Sequence, residues 1–159
     1  MGDAAGLFGV ALLGYSTLGA LWGWLRPRVL TEVTEDGAGL ALIANTDASV
    51  NSYMWFVVLT GLLGVAVGSL AVAATRTRPS TRGVLWSGLC AVTGALAFFL
   101  VGDAVSHALH TIPDLPTVQP GQQVELVTDL DPTVALIAAP LMATMAHWCG
   151  LVMRQWQEI

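Results

Sequence analysis

Apolar positions in this chain are gathered into four long runs and are not scattered at the three-to-four-residue spacing of a soluble amphipathic helix. The first run covers about residues 5–25 and holds no charge; the second covers about 53–75, the third about 83–109 with one acid near its end, and the fourth about 133–153. Crossing the hydrocarbon of a bilayer takes about 20 apolar residues in a helix, so each run predicts a transmembrane span. The polar positions fall between them, in a short connection after the second run and in two longer ones at residues 26–52 and 110–132. Within the longer connections the pattern changes, and residues 29–34 alternate apolar and polar. Residues 29–34 read as a strand, Glu35-Asp36-Gly37-Ala38-Gly39 carries turn chemistry, residues 40–44 return as a second strand, and residues 122–128 read as a third. The expected fold is an all-α membrane protein: a bundle of four transmembrane helices, one domain over residues 1–159, with a small extracytoplasmic β cap built from the two outer loops.

Composition agrees with this. Only 11% of the residues are charged and 55% are hydrophobic, where a soluble domain carries about a quarter charged residues. A net charge of −5 and the absence of a basic patch exclude nucleic acid as a partner; the partners expected are the lipid bilayer and other membrane subunits. The start of the chain lacks the positive segment of a signal peptide and predicts a retained first helix. The basic residues are all arginines, and their placement sets the orientation. Arg76, Arg78 and Arg82 lie in or beside the short loop, with Arg154 after the fourth run; Arg26 and Arg28 lie on the opposite side. Positive residues favour the cytoplasm, so both termini are expected there, in a multi-pass protein of the plasma (inner) membrane. Trp22, Trp24 and Trp55 should mark the outer interface, and Trp86 and Trp156 the inner one.

Lipid does not drive helices together, so small residues at contacts must allow close approach. Gly19/Gly23 and Gly64/Gly68 have GxxxG spacing, with Ala91/Ala95 playing the same part on the third run. Pro140 predicts a bend in the outer half of the fourth.

The chemistry-bearing residues are few. Asp103, His107 and His110 fall at i, i+4 and i+7 and share a helix face near the outer end of the third run. A carboxylate and two imidazoles could ligate zinc or copper, with Asp114 or Glu125 as a fourth donor. The electrostatic alternative pairs Asp103 with Arg26 or Arg28, because a carboxylate at a membrane-embedded helix end needs a counter-ion; a third reading leaves all three simply hydrated. His147 should hydrogen-bond a neighbouring helix. Met142, Met145 and Cys149, with Cys90 at a similar depth, offer soft sulfur that suits Cu(I), although such residues more often fill helix contacts. Both cysteines are read as buried hydrophobes. Phosphate-cradling loops, HExxH, CxxC and GxSxG are absent, so no enzyme activity, catalytic residue or cofactor is expected.

The stretch Leu21-Trp22-Gly23-Trp24-Leu25-Arg26-Pro27, the aromatic-led Tyr53-Met54-Trp55-Phe56 and the loop run Pro120-Gly121-Gln122-Gln123-Val124-Glu125-Leu126-Val127-Thr128, together with the order of four runs and two outer loops, resemble a family of small uncharacterised actinobacterial membrane proteins found in mycobacteria and corynebacteria. The resemblance implies source and topology over nearly the whole chain and assigns no site. The function expected is that of a non-catalytic accessory subunit of a plasma-membrane complex, with the cytochrome bc–oxidase supercomplex of such bacteria as one host. A metal-binding or redox-associated protein using Asp103, His107 and His110 is the first alternative. A small homo-oligomeric transporter or envelope-export component is the second.

Overall fold

A computed structural model of the chain describes residues 2–33, 40–44, 47–74, 81–109, 123–126, 130, 132, 133 and 135–157. Helix α1 spans Gly2–Leu25, strand β1 Val29–Val33, strand β2 Leu40–Ala44, helix α2 Ala48–Ala74, helix α3 Thr81–Leu109, strand β3 Gln123–Leu126, and helix α4 Ala138–Gln157, preceded by a single 3-10 turn at Ala135–Ile137. The helices form where the sequence is richest in Leu, Ala, Val and Gly. In lipid, main-chain N–H and C=O groups have no water to bond and must pair within the segment.

Among the described residues, three helices are long and apolar enough to cross a membrane: α1, α2 and α3. The expectation of four such runs is met only in part. The fourth helix starts five residues later than expected, and its 20 residues include His147 and a polar end, Arg154-Gln155-Trp156-Gln157. The later start also changes the role of Pro140. It lies in the first turn of α4, where a missing N–H breaks no α-helical bond, so a mid-helix bend is not required.

The two GxxxG pairs explain how the bundle closes. A Cβ added at Gly19 would collide with the backbone of Phe98, and one at Gly23 with the backbone of Gly102. In the other half of the bundle, Gly64 lies against the carbonyl of Ala139 and Gly68 against that of Ala143. Positions rise together on both partners, so α1 runs parallel to α3 and α2 parallel to α4. These are the broadest contacts in the molecule, and α2 and α3 also touch each other between α1 and α4. Ala91 and Ala95 on α3 are fully enclosed, as small residues at a helix contact should be.

The interior between these contacts is aromatic. Trp22, Phe56 and Phe98 pack with ring centroids 5.5–5.8 Å apart, with Phe99 against Phe56 at 6.0 Å. Trp22 therefore departs from its expected interfacial place and is a core residue. Trp24, Trp55, Trp86 and Trp156 are exposed. The difference is one of helix face: Trp22 lies three and seven residues after Gly19 and Tyr15, on the side turned to α3.

At the far end from the chain terminus, β1 is the middle strand of a three-stranded antiparallel sheet of order β2-β1-β3. Its register sets Thr31 opposite Leu42 on one side and Val124 on the other, with an irregularity between Leu30 and Thr31 in the β1–β2 pairing. Val29 and Thr31 are buried. The turn expected at residues 35–39 lies outside the described residues.

Candidate functional site

Two polar clusters sit inside the bundle, one toward each end. The first is built where α1 runs out. Arg26 follows the last residue of α1 and shares the face of Trp22, so its side chain turns inward over the Trp22 ring, with Cζ 5.2 Å from the centroid. There Nη1 reaches Asp103 Oδ1 of α3 at 3.1 Å. Only 1% of the Arg26 side chain is accessible, against 34% for Asp103. The second carboxylate oxygen lies 3.4 Å from His107 Nδ1. The same nitrogen donates to the Asp103 carbonyl at 2.9 Å, one turn back along α3. Both acceptors call for a proton on Nδ1.

This geometry separates the readings of the Asp103 face. Asp103 and His107 are brought together, and Arg26 is the counter-ion; Arg28 is exposed. His110 and Asp114 lie outside the described residues, and Glu125 pairs through its backbone with Leu30. Among the described residues no group of three or more His, Cys, Asp or Glu could hold a metal ion. Arg26 holds Asp103 through Oδ1, and Oδ2 faces His107. Ser106 and Thr31 are buried close by in sequence to this pair. The buried indole N–H of Trp22 has no hydrogen-bond partner among the described residues.

The second cluster lies toward the other end. His147 of α4 and Ser87 of α3 meet through Nδ1 and Oγ at 3.2 Å. The Ser87 hydroxyl donates to the Val84 carbonyl at 2.8 Å, so it accepts from His147, which fixes the proton on Nδ1. This is the interhelical bond expected of His147, and its partner is now identified. The contact also orients the chain: Trp86, next to Ser87, bonds through Nε1 to the carbonyl of Ala4 at 3.3 Å. The beginnings of α1 and α3 and the later half of α4 therefore share one end of the bundle.

Between the clusters, the Tyr15 hydroxyl donates to the Thr60 carbonyl at 3.2 Å across the α1–α2 contact. Thr60 is tied in turn to its own helix through the Phe56 carbonyl at 2.7 Å. Tyr15→Phe removes one buried bond but leaves no donor stranded. It is expected to cost about 1 kcal/mol, read as a shift in the unfolding midpoint in mixed detergent and SDS micelles.

The cysteines divide. Cys90 is buried, as expected, but Cys149 is exposed on α4, because the side of α4 that meets α2 and α3 is taken by Ala139, Ala143 and His147. Compared with protein-family models, curated proteins and solved structures, the chain matches none.

Proposed function

We propose that the chain is a four-span protein of the plasma membrane that serves as a non-catalytic accessory subunit of a larger membrane complex. The observation that carries this reading is the solid interior. Tyr15, Phe56 and Phe98 are wholly enclosed, and the helix backbones close on each other at Gly19, Gly23, Gly64 and Gly68. Such an interior holds a fixed shape. A transporter typically carries polar groups and broken helices near the midplane, so a homo-oligomeric transporter would have to place its lumen between copies. A metal centre on Asp103, His107 and His110 would have to compete with Arg26.

Its length and packing support treating α4 as the fourth span. Its 20 residues measure about 30 Å, the thickness of the hydrocarbon, and it lies beside α2 and α3 from Ala139 to His147. The sheet then caps the outer end. The end shared by Ala4, Trp86 and His147 is that of Arg82 at the start of α3 and Arg154 at the end of α4, and Arg76 and Arg78 fall in the short sequence between α2 and α3. The positive-inside tendency assigns that end, and both termini, to the cytoplasm. The outer end carries Glu32 on β1 and Asp47 just before α2 and offers an acidic docking surface. A respiratory cytochrome bc–oxidase assembly is one host consistent with an actinobacterial source.

Purification in a mild detergent through a small affinity tag tests the proposal. Co-purification of unlike membrane chains in fixed ratio is the expected result. Recovery of the chain alone, as a single monodisperse species from its native membrane, would sink the accessory-subunit reading.

A further inference from the structure

One nitrogen of the buried His147 has no role in the packing of the bundle. The residue is 2% exposed, and its Nδ1 is engaged with Ser87. Nε2 has no partner among the described residues. It is not sealed either: the enclosed polar atoms that lack a hydrogen bond lie elsewhere in the bundle.

Nε2 faces the beginning of α3. A Cβ placed on Gly83 would stand 3.6 Å from Nε2 and 3.4 Å from Cε1. The imidazole edge therefore looks onto the third residue of α3 across a gap that glycine leaves open. First-turn N–H groups of an α-helix have no carbonyl of their own helix to bond, and the aligned peptide dipoles give that end a partial positive charge. A helix start is receptive to anions for both reasons. Full charges gather at the same corner. Arg82 is the second residue of α3. Arg154 follows His147 by seven residues on α4, which sets it on the same helix face about 10 Å further along. Helix α2 adds no titratable group, since it meets this half of α4 with Gly68 and Val72. Helix α1 reaches the corner through Ala4, whose carbonyl holds Trp86, and Asp3 precedes it in the same turn.

The surroundings fit a lipid. Trp86 and Trp148 adjoin Ser87 and His147 in sequence and are exposed, and indole favours the level where hydrocarbon meets headgroups. Leu85 and Leu89 of α3 are exposed beside them and offer an apolar surface to acyl chains. We propose that the start of α3 binds the phosphate of an anionic phospholipid, with the first-turn N–H groups and His147 Nε2 as donors and Arg82 and Arg154 as counter-charge. With its one proton on Nδ1, the neutral ring carries a lone pair on Nε2. On binding, Nε2 takes a proton from water and donates it to a phosphate oxygen, while Nδ1 keeps its bond to Ser87. The new positive charge then lies against the anion. The site requires that the chain lie in a bilayer and is independent of the accessory-subunit reading.

The test uses the full chain, stripped of lipid in detergent and offered phosphatidylglycerol and phosphatidylcholine in equal amounts, with retained lipid counted by native mass spectrometry. One phosphatidylglycerol per chain is expected, preferred over phosphatidylcholine and held more firmly at mildly acid than at mildly alkaline pH. His147→Asn keeps a donor toward Ser87 but removes the nitrogen that faces Gly83. It should weaken retention about tenfold and abolish the pH dependence. Gly83→Ala adds a Cβ in ordinary contact range, so the helices stay packed while the gap narrows, and retention should fall here too. Arg28→Gln, at the opposite end of the bundle, should change nothing. Circular dichroism checks that each variant keeps its helices. Equal retention of the two lipids, or retention and pH dependence unchanged in His147→Asn and Gly83→Ala, would overturn the proposal. Saturation by inorganic phosphate without preference for the anionic lipid would make the ligand a free anion and overturn the lipid assignment.

Discussion

Gly23→Val is expected to lower the stability of the bundle by on the order of 3 kcal/mol, with Gly23→Ala retaining much of the effect. At this position the first carbon of any side chain would run into the carbonyl of Gly102. The obstacle is helical backbone, which cannot rotate aside as a side chain could. Relief requires α1 and α3 to move apart, and that loosens the contacts of Trp22 with Phe98 and of Tyr15 with Gly94 along the same seam. In lipid such packing is a principal force holding helices together. Gly14 supplies the control, because a Cβ there meets nothing within 4 Å. Gly14→Ala is expected to be neutral or to stabilise by about 0.5–1 kcal/mol through helix propensity. Unfolding in mixed detergent and SDS micelles, followed by far-ultraviolet circular dichroism, measures both. Equal midpoints for the Gly23 and Gly14 variants would contradict the close approach of α1 to α3.

The same seam shows what could be read from the sequence. Hydropathy is averaged over a whole span, so three helices were legible from their length and Leu/Val/Ala content; β1 was legible from its alternation, and β2 and β3 as short strand-like runs beside turn residues. The GxxxG pairs were legible as contact points but not as pairings. Gly23 meets Gly102, but Gly19 meets the backbone of Phe98, whose large side chain gives no sign that its main chain is approachable. The placement of Trp22 could have been inferred from its helical face, which it shares with Tyr15 and Gly19. Its position near the end of an apolar run pointed instead to the interface. Exposure of Cys149 was hidden for a related reason: an apolar run predicts a helix in oil, not which side of it meets another helix. At the Asp103 cluster the carboxylate, its partner imidazole and two candidate arginines were all apparent. The choice of Arg26 over Arg28 depends on chain direction after α1 ends, where Arg26 continues the Trp22 face while Arg28 turns outward.

That choice leads to an asymmetric pair of outcomes. Asp103→Ala is expected to destabilise the protein by about 2–3 kcal/mol, because it removes the carboxylate facing a guanidinium that lies in the protein interior, and breaking such a contact costs more than the pair contributes. Arg26→Met should cost less, about 1 kcal/mol, since the remaining Asp103 is one-third exposed at 34% and can be hydrated. Methionine also keeps much of the apolar stem that lies along Trp22. The double variant Arg26→Met with Asp103→Leu should recover a good part of the Asp103→Ala loss, as apolar replacement of a buried ion pair often does. A double-mutant cycle closed with the single variant Asp103→Leu, in the same unfolding assay, measures the coupling directly. The expected sign follows from burial: the interaction joins α1 to α3 where both leave the bundle, on the side where β1 begins, so the variants should also loosen amide protection in β1 before that in α2. Additive single effects, or a greater loss from Arg26→Met than from Asp103→Ala, would mean that the carboxylate is held by water and not by Arg26.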